Sequence, residues 1–233
     1  MKRNKSQIGQ IKNFESDLQI VNIFSDKEIK MIQELYAELP LRVFNKKQNV
    51  RKKMWVQKYN EDLDKIYFKK LKSVLGDFKM DNLQDGDGED FYGIFHESFS
   101  PLPMHVDSGF HENEIIYKQV LTPLSSFGET IVFKKKWYGK STLFTIDKEE
   151  LKFDPGHGQN DRSDEHIGVQ EFDKEMHKQY LSHLDINNLK GMEINFIYKW
   201  KLGETMIMDR SNIHCSSSNI KDKKLGITTF TRK

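Results

Sequence analysis

Apolar residues in the first third of the chain recur with the spacing of helices. In residues 25–40, SDKEIKMIQELYAELP, an apolar residue returns at every third or fourth position, Ser25 stands as the N-cap and Glu28 occupies the capping-box position. Residues 60–78 repeat this pattern and predict a second helix. The sequence therefore predicts an N-terminal helical part over about residues 1–85.

From Phe91 onward the period of the apolar residues changes to two. The segments with strand composition are FYGIFHESF, NEIIYKQVLTPL, GETIVFKKKW, MEINFIYKW, GETMIMD and KLGITTFT. Short strands in series predict an antiparallel sandwich or barrel. We therefore expect a mainly β protein, residues 1–233, with a jelly-roll (double-stranded β-helix) core and N-terminal helices packed against it.

One long interval, residues 138–190, does not fit a compact strand-turn-strand layout. It contains the turn-rich stretch DPGHGQNDRSDEH and then VQEFDKEMHKQYLSHL, which predicts a short helix over residues 169–184. Intervals of this length between strands are commonly functional. We expect an inserted, lid-like segment that covers a pocket and is less ordered than the sheet.

Composition narrows the class of protein. Charged residues make up 31% of the chain but nearly cancel to a net charge of +2, which argues against a dedicated nucleic-acid binder. The basic runs at residues 46–53 and 134–136 are interpreted as solvated loops or faces. A single cysteine, Cys215, excludes an internal disulfide, and no stretch is apolar over a membrane-spanning length. The basic start of the chain lacks the apolar core of a secretory signal, so a soluble cytoplasmic protein is expected, with no membrane partner.

A histidine and an aspartate lie two residues apart in PLPMHVDSGF, residues 101–110. In a strand, His105 and Asp107 would point to the same face, which suits binding of one metal ion, although the pair alone is a weak signal. His214 ends an apolar strand and precedes the small polar run CSSSN. If that strand lies beside the one carrying His105, two imidazoles and a carboxylate share a face with open positions opposite. This ligand set suits non-haem iron(II), which keeps positions for a chelating co-substrate and oxygen.

A chelating 2-oxo acid also needs a cation for its second carboxylate. Lys224 follows His214 by ten residues and begins the strand KLGITTFT. The adjacent antiparallel strand would bring its ammonium over the pocket, and Thr228 lies on the same strand face. Arg232, eight residues further along, is the second choice for this role.

The ordered segments MHVDSG, GETIVF, WKLGETMIMDRSNIHCSS and KLGITTFT resemble the 2-oxoglutarate/iron(II)-dependent dioxygenases, most closely their prolyl-hydroxylase-like and small bacterial or phage branches. The resemblance implies Fe(II) bound by His105, Asp107 and His214. It also implies 2-oxoglutarate held by Lys224, where many relatives carry arginine, and O2 as the oxidant. The expected reaction is hydroxylation of an unactivated C–H bond with release of succinate and CO2. The tyrosine that often contacts the co-substrate in this family has no certain equivalent.

For that contact to the co-substrate, Tyr92 is the first candidate and Tyr117 the second. Two other functions remain open at this point: a non-catalytic jelly-roll binding protein, and a zinc-dependent hydrolase that uses the same three ligands. The substrate is expected to be a small molecule or a peptide. Nucleic acid enters only as a possible substrate, through the two basic runs.

Overall fold

A computed structural model of the protein describes residues 11–13, 18–46, 49–80, 91–107, 116–137, 142–145 and 168–233. The strands are β1 Ile11–Asn13, β2 Gln19–Asn22, β3 Val43–Asn45, β4 Val50–Val56, β5 Lys79–Met80, β6 Phe91–Ser98, β7 His105–Val106, β8 Ile116–Pro123, β9 Glu129–Trp137, β10 Thr142–Leu143, β11 Ile194–Lys199, β12 Glu204–Asp209, β13 Asn212–Ser216 and β14 Lys224–Arg232. The helices are α1 Asp26–Glu38, α2 Glu61–Leu75 and α3 Lys174–Met176.

The strands form two antiparallel sheets within the described residues. The larger sheet has the order β2-β12-β8-β14-β6-β4-β3, with β5 beside β14, and the smaller has the order β1-β9-β13-β7-β10, with β11 beside β9. From β6 to β9 and again from β12 to β14, successive strands alternate between the two sheets. This alternation builds a jelly roll, so the predicted mainly β core is confirmed.

Both N-terminal helices pack on the outer face of the larger sheet. The Glu28 amide donates to Ser25 Oγ at 3.3 Å and the Ser25 amide donates to Glu28 Oε2 at 2.8 Å, so the predicted capping box starts α1. The apolar faces of the two helices surround Trp55 and Phe95, which lie on the sheet and are fully buried. This cluster fixes one wall of the jelly roll.

The N-terminal part also contains strands that the helical pattern did not indicate. Strands β3 and β4 lie between the helices and extend the larger sheet beyond β6. Residues 50–53 of the basic run 46–53 lie in β4, where Arg51 is exposed and Lys52 and Lys53 are half-buried, so a solvated loop or face describes only part of this run. Lys136 of the second run is also buried, with its ammonium paired to Asp209. In β4, pairing with β6 outweighs the low strand propensity of Lys52 and Lys53.

A segment after β10 covers the outer face of the smaller sheet. Its buried side chains are Phe172, Leu181, Leu184, Leu189 and Met192, which pack on residues of β7, β9 and β13. The predicted helix begins only at Lys174, is capped by the Asp173 carboxylate and continues as a π-helical stretch, His177–Leu181. Residues 138–141 and 146–167 of the predicted lid lie outside the described residues, so a lid there stays a prediction.

A third apolar cluster lies between the two sheets. It consists of Leu121, Val132, Tyr198, Trp200, Met206 and Met208. These side chains fill part of the barrel, and Leu121, Trp200 and Met208 also line the cavity described next. Within the described part of the chain, no helix is long and apolar enough to cross a membrane.

Candidate metal centre

A cavity between the sheets collects most of the residues that the sequence singled out. Its polar lining from the larger sheet is Lys52, His96, Ser98, Gln119, Lys224 and Thr228, and from the smaller sheet His105, Asp107, Thr130, His214 and Ser216. The cavity volume of about 80 Å³ exceeds the ~10–15 Å³ that one water molecule requires. A small ligand can therefore enter between the sheets.

His105, Asp107 and His214 meet at one point of this cavity. His214 on β13 is directly opposite His105 on β7, and their ring centroids are 4.3 Å apart. Asp107 Oδ2 lies 3.4 Å from His214 Nε2 and 3.7 Å from His105 Nε2. One potential ligand atom from each residue lies within 4.8 Å of the other two. With metal–ligand bonds of about 2.1 Å, neighbouring ligands in an octahedral shell are about 3 Å apart, so a slight contraction of this triangle would enclose one ion.

The hydrogen bonds of the two histidines leave the correct nitrogen available for a metal. His105 Nδ1 lies 2.8 Å from the Pro103 carbonyl oxygen, and His214 Nδ1 lies 3.0 Å from the Asn212 carbonyl oxygen. Because a carbonyl only accepts, each Nδ1 carries the proton and each Nε2 presents its lone pair beside Asp107. Metal-binding histidines are oriented in the same way. The donor set therefore fits a divalent metal ion.

Two residues that sequence reasoning missed hold Asp107 in place. Gln119 on β8 donates from Nε2 to Asp107 Oδ2 at 2.9 Å, across the gap between the sheets. Arg210, in the turn between β12 and β13, is almost fully buried and donates through Nη2 to the Asp107 backbone carbonyl at 3.5 Å. Neither residue belongs to the spaced motif. Gln119 lies in the strand IYKQVLTP, beside Lys118, and no local pattern distinguished it.

The Lys224 ammonium extends from β14 of the larger sheet into a cradle formed by residues of the smaller sheet. It donates to the Glu129 carbonyl oxygen and to Ser216 Oγ, each at 3.1 Å, and lies 4.1 Å from the centroid of the Trp200 ring. Burial lowers the pKa of Lys224 to about 7. A lysine is rarely buried unless its ammonium pairs with an opposite charge. The cradle therefore suits an anion that binds beside the triad.

Of the other residues proposed to contact the co-substrate, only Thr228 lines the cavity, as expected from its position on β14. Tyr92 is not part of the cavity lining, because it lies four residues, about 13 Å along the strand, from His96 and its ring packs beside Trp55. The assignment of Tyr92 to the co-substrate is therefore corrected. Arg232 lies at the far end of β14 and donates from Nε to the Met80 carbonyl.

Tyr117 is also outside the cavity lining, since its hydroxyl donates to the Leu75 carbonyl of α2.

Two residues that the sequence did not single out take positions in the cavity. His96 on β6 and Lys52 on β4 are cross-strand partners and both line the cavity. The Nδ1 atom of His96 is buried without a hydrogen-bond partner, and burial, followed by the nearby Lys52 ammonium, lowers the pKa of this histidine to about 3.

Several solved structures resemble the chain in fold. The chain resembles the non-haem α-ketoglutarate-dependent carbocyclase SnoK from nogalamycin biosynthesis, with a TM-score of 0.53 at 11% identity over 94% of this chain and 80% of that one. EvdO2 from Micromonospora carbonacea var. aurantiaca gives 0.53 at 12% identity over 94% and 87% of the chains. HygX from Streptomyces hygroscopicus, solved with nickel and 2-oxoglutarate bound, gives 0.50 at 9% identity over 94% and 83%.

Comparisons of sequence give no further assignment: no protein-family model matches the chain, and no curated protein matches it. At the identities of the solved structures, the likeness shows the fold alone. The fold is thus a jelly roll like that of the α-ketoglutarate-dependent carbocyclase SnoK, with a two-histidine, one-aspartate triad inside it.

Proposed function

We propose that the protein is an iron(II)- and 2-oxoglutarate-dependent oxygenase that hydroxylates a C–H bond of a small-molecule or peptide substrate. The observation that carries this proposal is the triad of His105, Asp107 and His214, in which both Nε2 atoms are left unprotonated beside the carboxylate. Three ligands on one side leave positions for a chelating co-substrate and oxygen, which is the arrangement that non-haem iron(II) oxygenases require.

The triad, Gln119, Lys224 and Thr228 each have a separate task in this proposal. The triad holds the ion, and Gln119 keeps Asp107 oriented through its hydrogen bond to Oδ2. Lys224 pairs with the distal carboxylate of 2-oxoglutarate, and Thr228 adds a hydroxyl on the same strand. Iron(II) with 2-oxoglutarate and oxygen supplies the oxidising power, with succinate and CO2 as products. The apolar cluster at Trp200 and Met208 excludes water from one side of the cavity.

The comparison structures support this combination of ligands. HygX, which shares the fold, was solved with nickel and 2-oxoglutarate bound, and SnoK is described as α-ketoglutarate-dependent. These are properties of those proteins. Their transfer to this chain rests on the triad geometry and on the buried Lys224 ammonium.

The test is an anaerobic titration with iron(II) and 2-oxoglutarate, followed by measurement of succinate release after oxygen is admitted. We expect wild type to bind both and to release succinate slowly even without a primary substrate. His105→Ala, Asp107→Ala and His214→Ala should lose iron binding and turnover while keeping the far-ultraviolet circular dichroism of the wild type. The strands that carry these residues are held by apolar clusters that do not involve the metal.

The matched control is His177→Ala, since His177 lies on the outer segment and contacts the Leu184 carbonyl rather than the cavity. It should bind iron like wild type. Full succinate release by His214→Ala would overturn the proposal. Turnover that needs zinc, but neither oxygen nor 2-oxoglutarate, would instead identify a zinc hydrolase that uses the same triad.

A further inference from the structure

Two basic side chains of the cavity are not used by the proposed chemistry. His96 on β6 pairs directly with Lys52 on β4 and, on its other side, with Gly226 on β14. Both side chains line the same cavity as the triad. Directly opposed residues on neighbouring strands have Cβ atoms about 5 Å apart, so the ammonium and the imidazole can contact one ligand together.

Both groups lack partners among the described residues. His96 Nδ1 is buried without a hydrogen bond to the described residues, and a buried polar atom that stays unpaired costs free energy. The Lys52 ammonium makes no ion pair or hydrogen bond in the described part of the chain, in contrast to its neighbours Arg51 and Lys53, which bind Glu97 and the Tyr36 carbonyl. An anionic group that reached into the cavity would satisfy both at once.

The co-substrate does not account for these two groups. Lys224 is separated from Lys52 by two strand spacings and two residues, about 12 Å between Cα atoms. The Lys224 ammonium is also held at the Trp200 ring and the Glu129 carbonyl. A five-carbon dicarboxylate that chelates the metal and pairs with Lys224 has no third anionic group left for Lys52.

A count of charges leads to the same conclusion. The charged residues that line the cavity, among those described, are Asp107, Lys52 and Lys224, apart from the histidines. A divalent metal and a 2-oxoglutarate dianion cancel each other, and Asp107 and Lys224 also cancel. One positive charge, that of Lys52, then stays uncompensated beside the reaction site, where it favours a negatively charged substrate.

We propose that Lys52 and His96 form a subsite for an anionic group, a carboxylate or a phosphate, on the primary substrate. That the bound molecule is the primary substrate rests on the proposed function, whereas the existence of the anion subsite does not depend on it. Lys52 supplies the charge, and the imidazole of His96 supplies a directed hydrogen bond. Neutral molecules of the same shape are rejected because they would leave both groups unpaired.

The test uses three probes of similar size: phenylacetate, phenyl phosphate and the neutral phenylacetamide. The protein is loaded with zinc(II), which keeps the spectra free of paramagnetic broadening, and with 2-oxoglutarate. Binding is followed through the ¹⁵N-labelled imidazole signal of His96, assigned by its loss in His96→Gln. We expect at least one of the two anions to bind on the order of tenfold more tightly than the amide. The tighter anion identifies the group as carboxylate or phosphate.

Variants connect the preference to Lys52. Lys52→Met should abolish the preference for anions while leaving the dissociation constant of 2-oxoglutarate close to that of wild type, and Lys52→Arg should retain the preference. Lys223→Met is the matched control, because Lys223 is half-exposed and contacts Glu97 at 3.4 Å, away from the cavity lining. It should bind all three probes like wild type.

Any of these results would overturn the inference: equal binding of the amide and both anions, no shift of the His96 signal with any anion, or an unchanged preference in Lys52→Met. A loss of 2-oxoglutarate binding in Lys52→Met as large as that in Lys224→Met would assign Lys52 to the co-substrate and also overturn it. If wild type binds no 2-oxoglutarate, the proposed function fails. The same titration on the metal-free protein then still decides whether the anion subsite exists.

Discussion

Lys224 is the residue that separates a 2-oxoglutarate enzyme from any other protein with the same triad. Its ammonium is in the cavity, 3.1 Å from Ser216 Oγ, and is not a metal ligand. A charge-assisted hydrogen bond to a carboxylate contributes about 1.5–3 kcal/mol. Lys224→Ala should therefore raise the dissociation constant of 2-oxoglutarate by about 10- to 100-fold and leave iron affinity nearly unchanged, as measured by anaerobic titration.

The control for this prediction is the neighbouring residue. Lys223 immediately precedes β14, and its ammonium contacts Glu97 Oε1 at 3.4 Å, outside the cavity lining. Lys223→Ala should bind 2-oxoglutarate like wild type. If Lys223→Ala were the damaging change and Lys224→Ala silent, the assignment of the carboxylate to Lys224 would be wrong.

The same lysine predicts how co-substrate binding depends on pH. Burial lowers the pKa of Lys224 to about 7 in the free protein, and only the protonated form pairs with a carboxylate. A bound dicarboxylate raises this pKa, so binding takes up a proton above pH 7. The dissociation constant should be constant below about pH 7 and then increase up to about tenfold per pH unit until the pKa of the complex is reached.

Lys224→Arg provides the comparison for the pH profile. A guanidinium stays protonated over this range, so the variant should show no change from about pH 6 to pH 9. Calorimetric titration at several pH values measures both proteins. A wild-type profile as flat as that of the arginine variant would show that Lys224 does not bind the co-substrate.

Local spacing predicted the residues of the triad, but not the residues that support them. His105 and Asp107 follow from the two-residue repeat of a strand, and His214 and Lys224 follow from their order on late strands. The positions of Gln119 and Lys52 depend on which strands become neighbours and in which register. Register is a property of distant segments, so their approach to the site was not visible in the sequence.

At the level of strands and helices, the contact of Trp200 with β14 supports the Lys224 cradle. A Cβ atom added at Gly226 would lie 2.8 Å from Trp200 Cη2 and 3.3 Å from the Thr122 carbonyl oxygen. The ring cannot move away freely, because Trp200 Nε1 donates to Thr130 Oγ1 at 3.0 Å. Gly226→Ala should therefore lower the free energy of unfolding by about 1–3 kcal/mol and weaken 2-oxoglutarate binding, measured by urea denaturation and titration.

A second substitution tests whether the ring is the cause. Trp200→Phe removes the part of the side chain that the new methyl group would meet. The double variant should therefore be more stable than the sum of the two single effects indicates. Additive losses would show that Gly226→Ala acts through the backbone rather than through Trp200.

The sequence predicted helix ends that are fixed by local capping residues. It did not predict strands that form only because distant strands pair with them. The Ser25 cap defines the start of α1 by local hydrogen bonds and lies where the sequence predicted it. Strand β4 has the sequence VRKKMWV, in which three consecutive basic residues interrupt the alternation of apolar and polar positions. It is a strand because β3 and β6 pair with it on both sides.

On the scale of the whole molecule, the site joins the two sheets. The triad belongs to the smaller sheet, whereas Lys224, His96 and Gln119 belong to the larger one. In the described residues, the hydrogen bond between Gln119 and Asp107 connects the two walls of the cavity. The series of short strands predicted two layered sheets, but only the order of the strands shows that the triad on the smaller sheet faces Lys224 on the larger one.

Because the triad and Lys224 lie on different sheets, the metal ion and 2-oxoglutarate should stabilise the protein in two separate steps. A metal ion that binds only the folded state stabilises it by about 2.7 kcal/mol at a free concentration of 100 times its dissociation constant. For a chain of this size, such a gain raises Tm by roughly 5–10 °C. 2-Oxoglutarate should add a second increase, because it bridges the triad on one sheet and Lys224 on the other. Anaerobic thermal denaturation measures both increments.

Variants of the two sheets should remove these increments separately. Lys224→Ala should keep the shift in Tm caused by the metal and lose most of the additional shift caused by 2-oxoglutarate. His214→Ala should lose both, because the co-substrate chelates an ion that is no longer held. His177→Ala, on the outer segment, should behave like wild type in both steps. An undiminished 2-oxoglutarate shift in Lys224→Ala would mean that the co-substrate does not bridge the sheets at this residue.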